Sequence, residues 1–150
     1  MWATAAMELH AHEVMKAWGF EYKSQVIWEK PDIGTGYWFR EKHELLLVGT
    51  RGKIPSPVPG KQWPSVIQAP RGAGRFSEKP AIFAEMIEAY FPNLPKIELN
   101  CRGKPRPGWD AWGAEAEGAE RRSDHARRFA ARVPLDGLRL SEVLHRLSLP

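Results

Sequence analysis

A single cysteine, Cys101, stands among the 150 residues. No internal disulfide can form, and such sparing use suits a reducing compartment, so a cytoplasmic location is expected. Long apolar runs are missing as well. Nothing approaches the ~18 residues of a membrane-spanning helix, and no membrane partner is expected. The opening MWATAAMELHAHEVMKAW is not a signal peptide, because Glu8, His10 and Glu13 fall where an unbroken apolar region belongs. There is no GxSxG, P-loop or GxGxxG. His10 and His12 are two residues apart and His43 is isolated, so no metal site is expected. No internal repeat is visible.

One further absence is local. Residues 51–75 contain no aspartate or glutamate, while Arg51, Lys53, Lys61, Arg71 and Arg75 all fall there. The whole chain carries a net charge of +4, which agrees with a nucleic-acid partner without requiring one. Positive charges concentrated on Pro/Gly-rich loops repel one another until an anion arrives. A phosphate backbone is the natural partner, and Trp63 can stack on a base. A simple solvated loop is the alternative.

What is present reads as one domain's worth of α/β structure. Residues 5–18 have helical periodicity, with Leu9, Val14, Met15 and Trp18 on one face and Gly19 as the stop. Residues 22–29 read as a strand ended by Pro31. Residues 44–50 read as a second strand, and the uninterrupted Leu45–Val48 run predicts burial on both faces. The proline-rich stretch 51–64 is a loop, 65–69 a short strand, and 71–75 another loop. Ile82, Phe83, Met86, Ile87, Tyr90 and Phe91 mark a helix over 79–91, with Ser77 as a candidate cap and Pro80 in the first turn. Lys79 then lies beside the positive end of that helix, where an anionic ligand would relieve it; an ordinary surface lysine is the plainer reading. Residues 96–101 predict a strand, and 102–113 a loop holding Asp110 between Trp109 and Trp112. Those two rings can wall a ligand or close the core. Past residue 116 lysine disappears and arginine takes over, with short helices expected near 119–132 and 140–147.

Several stretches together resemble one known family. They are MWATAAM, KAWGFEYKSQVIWEK, GYWFREKHELLLVGTRG, WPSVIQAPRG, FSEKP and KIELNCRGKPRPGWDAWG, in order over residues 1–115. The family is that of the adenine-N6 methyltransferases with a DPPW catalytic motif, which includes RNA adenosine writers and phage and bacterial DNA enzymes. The resemblance implies a Rossmann-like sheet with helices on both faces, S-adenosylmethionine (SAM) at the strand ends, and adenine-containing DNA or RNA as substrate. It implies that Lys79 meets the cofactor's carboxylate and Arg102 its ribose region, with Lys104 nearby. Gly113, Ala114 and Glu115 match the segment where the family binds the ribose with an asparagine after the glycine. The basic loops, with Arg51, Lys53, Lys61, Trp63, Arg71 and Arg75, match those that gate and hold the nucleic-acid strand. Tyr37 to Lys42, including Arg40, and Arg51 are expected at sheet ends, facing the substrate.

The departures are equally specific. No DPPW occurs, Ala114 replaces the asparagine, and Asn100 replaces an apolar residue. No residue is therefore assigned a catalytic role. Residues 1–115 are expected to be the latter, cofactor-side part of a methyltransferase domain. The catalytic half is expected from an upstream segment or a separate chain. Residues 116–150 are expected to be an Arg-rich helical tail of unknown role. A non-catalytic remnant or partner subunit that binds nucleic acid is the alternative.

Overall fold

The computed structural model describes residues 1–57, 59–72 and 78–117. It divides into two compact units, Met1–Pro92 and Asn93–Pro150. The helices expected near 119–132 and 140–147, and the proposed cap Ser77, lie outside the described residues.

The first unit holds β1 (Trp2–Ala3), a 3-10 turn (Ala5–Met7), α1 (Glu8–Ala17), β2 (Glu21–Glu29), β3 (His43–Thr50), β4 (Val66–Gln68) and α2 (Ala81–Tyr90). Its four-stranded sheet has the order β1-β3-β2-β4. β3 pairs antiparallel with both β1 and β2, and β2 pairs parallel with β4. The sheet is mixed, and β3 is interior, as its apolar run predicts.

The period of two along β3 explains that run. Leu46 faces α2, in a cluster with Trp28, Ile67, Ala69, Phe83 and Met86. Leu45 and Leu47 face α1, clustered with Ala3 and Met15. One helix therefore covers each face. Each buried leucine contributes about 1.5–3 kcal/mol over an exposed one. At Gly49 the Met15 methyl occupies the space a Cβ would take, so this side chain fills the gap over the strand.

The helices differ in how far their sequence patterns are used. In α2, Phe83 and Met86 are buried and Ile82 and Tyr90 pack beside them. Pro80 stands one residue earlier than expected, as the N-cap itself. In α1 only Met15 is buried, and Leu9 is 78% exposed. Of the expected four-residue apolar face only Met15 is buried, with Ala11 packed beside the same cluster. Gly19 does end this segment, with φ +78° and its N–H donating to the Lys16 carbonyl at 3.0 Å.

The second unit holds β5 (Lys96–Leu99), β6 (Arg102–Gly103), β7 (Trp109–Trp112) and β8 (Glu115–Ala116). β5 pairs parallel with β7, and β6 with β8. The stretch expected as a loop over 102–113 thus contains two strands, β6 and β7. Trp109 and Trp112 are half-buried, with buried Ala111 between them. Asn100 has φ +61°. This is the left-handed region that asparagine tolerates better than bulky apolar residues, so the chain can turn between β5 and β6.

Candidate functional site

Register decides which side chains meet at the end of the first sheet. Glu29 pairs with His43 across β2 and β3, and with Gln68 across β2 and β4. Residues 30–42, Arg71 and the start of α2 all follow from that end. Thr50 pairs with Glu21 at the other end, so Arg51 lies there. Seven residue steps separate the ends of β3, roughly 23 Å. Arg40 and Arg51 therefore occupy opposite ends of the sheet rather than one shared end.

At the Glu29 end sits an ionic cluster. Lys79 Nζ donates to Glu44 Oε2 at 2.6 Å, and Lys30 Nζ to Glu44 Oε1 at 3.4 Å. Lys30 is only 9% exposed. Lys79 also lies 5.5 Å from the Trp2 ring centre and 5.7 Å from that of Trp28, and Lys30 lies 6.0 Å from Trp28. These rings offer their negative faces to the ammonium groups. They are themselves fixed. Trp2 meets Phe83 edge-on at 4.9 Å, and Trp28 Nε1 donates to the buried Ala69 carbonyl at 2.9 Å.

Two ammonium groups thus share one carboxylate in a largely dehydrated corner. Lys30, Glu44, Trp2 and Trp28 were not legible as site residues. All four lie far ahead of Lys79 in the chain, Glu44 being the nearest at 35 positions. Only the register Trp28↔Glu44 puts them on the face of α2. The one local signal was Glu44, a charge placed just before an all-apolar strand core.

A neighbouring cluster ties three strand ends together. Glu29 accepts from Lys42 Nζ at 3.0 Å and from Gln68 Nε2 at 2.9 Å. The Gln68 hydrogen bond and then Lys42 hold the Glu29 carboxyl below its usual range. A recess of about 310 Å³ opens here between Glu29, Lys30, Lys42 and Gln68–Pro70.

The remaining expected nucleic-acid residues are dispersed. Arg51 lies 5.9 Å from the Phe20 ring centre. Lys53 and Lys61 are exposed, and Arg71 is half-buried. Trp63 packs against the core cluster, so part of its side-chain surface is already used, and its backbone N–H donates to the Tyr90 hydroxyl. Arg75 lies outside the described residues.

In the second unit, Arg102 and Glu115 face each other in the β6–β8 register, with Nε and Oε1 3.3 Å apart. Both are about half exposed, so the pair adds at most ~1 kcal/mol. Lys104 and Ala114 are exposed. Gly113 has a structural reason of its own: a Cβ would strike the Cys101 carbonyl. Cys101 is 3% exposed, and burial followed by the nearby Glu98 charge pushes its thiol up.

A mixed sheet covered by a helix on each face, with lysines and tryptophans gathered at one sheet end, is an α/β arrangement consistent with a methyltransferase-like fold. The chain belongs to the MT-A70 family, whose profile matches residues 1–115. It is 36% identical over 116 residues to the type II methyltransferase M.MunI of a Mycoplasma species, covering 77% of this chain and 48% of that protein. It is 31% identical over 151 residues to human METTL3, the N(6)-adenosine-methyltransferase catalytic subunit, covering 92% of this chain and 25% of that protein. The zebrafish METTL3 subunit is 30% identical over 130 residues, covering 79% of this chain and 21% of that protein. The chain thus spans about half of M.MunI and a quarter of human METTL3. The resemblance read from the sequence stretches is borne out at the level of the family.

Proposed function

We propose that this chain forms the cofactor- and nucleic-acid-holding part of a SAM-dependent adenine-N6 methyltransferase, with adenine-containing DNA ahead of RNA as substrate. The observation that carries the reading is the Lys30–Glu44–Lys79 cluster. Two lysines and one glutamate leave one positive charge in excess where little water can screen it. An anionic ligand group answers that excess, and the carboxylate of SAM has the required chemistry. The preference for DNA rests on the higher identity to the type II methyltransferase.

The donor set at this end fits the amino-acid portion of the cofactor. Lys79 would hold its carboxylate, while Glu44 and the two indole rings restrict where the ammonium group can point. When bound, the cofactor supplies an electrophilic methyl on a sulfonium sulfur. In the second unit Arg102, Lys104, Gly113, Ala114 and Glu115 are proposed for the ribose side. Ala114 brings no amide there, so one hydrogen bond of about 1 kcal/mol is missing. Arg40, Arg51, Lys53, Lys61, Trp63, Arg71 and Arg75 are proposed to hold the nucleic-acid strand. The Rossmann-like sheet and the cytoplasmic setting belong to the same proposal, with β2 and β4 as one parallel pair of that sheet. Orientation of the adenine amine is left to a DPPW segment from elsewhere in the protein or from a separate chain.

The absent DPPW also favours a second reading, in which the chain is a non-catalytic subunit that binds nucleic acid. Calorimetry with SAM tests the first. We expect weak binding, with a dissociation constant above about 1 μM, lost in a Lys79→Met variant that still unfolds cooperatively. Heats that are identical for the two proteins overturn the placement of the cofactor at Lys79.

A further inference from the structure

Between β2 and β3 the chain projects a short arm. Its neck is closed by two backbone bonds, Lys30 N–H to the Lys42 carbonyl at 2.8 Å and Gly34 N–H to the Glu41 carbonyl at 2.7 Å. Arg40 Nε donates across it to the Gly34 carbonyl at 2.7 Å. The turn is tight enough to demand glycine. A Cβ on Gly34 would lie 2.7 Å from the Glu41 carbonyl oxygen, and one on Gly36 would strike the Phe39 carbonyl. At the tip stand Tyr37, Trp38 and Phe39, with exposures of 107%, 92% and 85%.

Three adjacent large rings in water are unfavourable, since each can bury about 150–250 Å². The core makes no use of them, yet the arm that presents them is closed by backbone and side-chain hydrogen bonds. What surrounds them points to the occupant. Ile33 is the sole aliphatic residue between 31 and 42. Directly after the rings come the cations Arg40 and Lys42, with Asp32 and Glu41 as the acids of the arm. Arg40 makes no ion pair among the described residues, so its charge remains available. At the root lies the recess of about 310 Å³ lined in part by Lys30 and Lys42.

From this juxtaposition we infer that Tyr37–Phe39 is a stacking platform for unpaired bases of a single nucleic-acid strand, with Arg40 meeting the backbone phosphate beside them. The inference rests on the nucleic-acid reading given above and narrows it to single-stranded or locally opened substrate at this end of the sheet. Aromatic rings accept any base, so the platform adds affinity with little sequence preference.

The test uses the full 150-residue chain and a fluorescein-labelled single-stranded 12-mer with a central adenine, in deoxy and ribo forms, titrated over a salt series. Trp38→Ala is expected to weaken binding by about fivefold or more, and Trp38→Phe to restore most of it. The salt slope should not change, because no charge is removed. Melting temperatures should also hold, the rings being exposed. If the chain binds the 12-mer and Trp38→Ala and a triple Tyr37/Trp38/Phe39→Ala variant bind equally well, the platform is wrong while the nucleic-acid reading stands. If the unaltered chain does not bind, both fall. If the triple variant instead loses self-association in sedimentation with unchanged affinity for the 12-mer, the tip is a protein contact and the inference is overturned.

Discussion

At the scale of residues, Glu44 matters most in the first unit. It is the carboxylate on which Lys30 and Lys79 both rest. Removing it leaves Lys30 buried with no counter-charge, and the cost of such a stranded charge exceeds the net worth of the original pair. Glu44→Ala is expected to lower unfolding free energy by about 2–3 kcal/mol in urea titrations. A Glu44→Leu/Lys30→Met double variant should recover part of that loss, because the charge that needed a partner is gone. A double variant less stable than Glu44→Ala would show that the cluster stabilises by attraction alone. Lys79→Met should cost less than Glu44→Ala, since Lys79 retains some exposure to water.

At the scale of elements, the Glu29 end of the sheet is held by side chains from three strand ends. Glu29 closes β2, Lys42 precedes β3 and Gln68 closes β4. The Glu29 carboxyl is held below its ordinary value in the folded state. A lowered folded pKa means that the folded protein prefers the ionised form. The contribution is therefore present above the unfolded glutamate pKa of about 4.3 and is lost as pH falls through the lower folded value. The urea midpoint gap between the unaltered chain and Glu29→Gln should be constant near neutrality and close below about pH 4. A gap that widens on acidification would reverse the assigned sign. Lys42 and Gln68 also stand at the root of the aromatic arm, so Glu29→Gln should loosen the arm's neck as well.

At the scale of the whole molecule, the described basic loop residues of the first unit are spread rather than focused. The basic loop residues fall at both ends of the first sheet, and Trp63 is partly committed to the core. Nucleic-acid binding should therefore be strongly salt-dependent and tolerant of sequence. Replacing Lys53, Lys61 and Arg71 together by glutamine should reduce the slope of log affinity against log salt by up to ~2–3, about one unit for each phosphate no longer neutralised. An unchanged slope in oligonucleotide titrations would mean that these side chains only solvate their loops. This triple glutamine variant and Trp38→Ala then form a contrasting pair, one altering slope and the other affinity at constant slope.

The sequence by itself determined the interior strand, the main core helix and the family. Two-sided burial of β3 followed from Leu45–Val48, because alternation sends successive leucines to opposite faces wherever both are covered. The core face of α2 followed from Phe83 and Met86, and membership of the MT-A70 family from ordered stretches over residues 1–115. Local patterns carry that information because periodicity and turn chemistry act over a few residues. Tertiary structure alone decided which side chains meet. β7 was hidden in a stretch rich in proline and glycine, since its parallel partner β5 lies ten or more residues earlier and leaves no local trace. The apolar pattern of α1 overstated its burial, because propensity cannot tell how wide a surface will be offered. The Lys30–Glu44–Lys79 cluster exists only because antiparallel register sets Trp28 opposite Glu44 and α2 begins over the same face. Contacts between positions far apart in the chain depend on register and packing, and no spacing within the sequence encodes them.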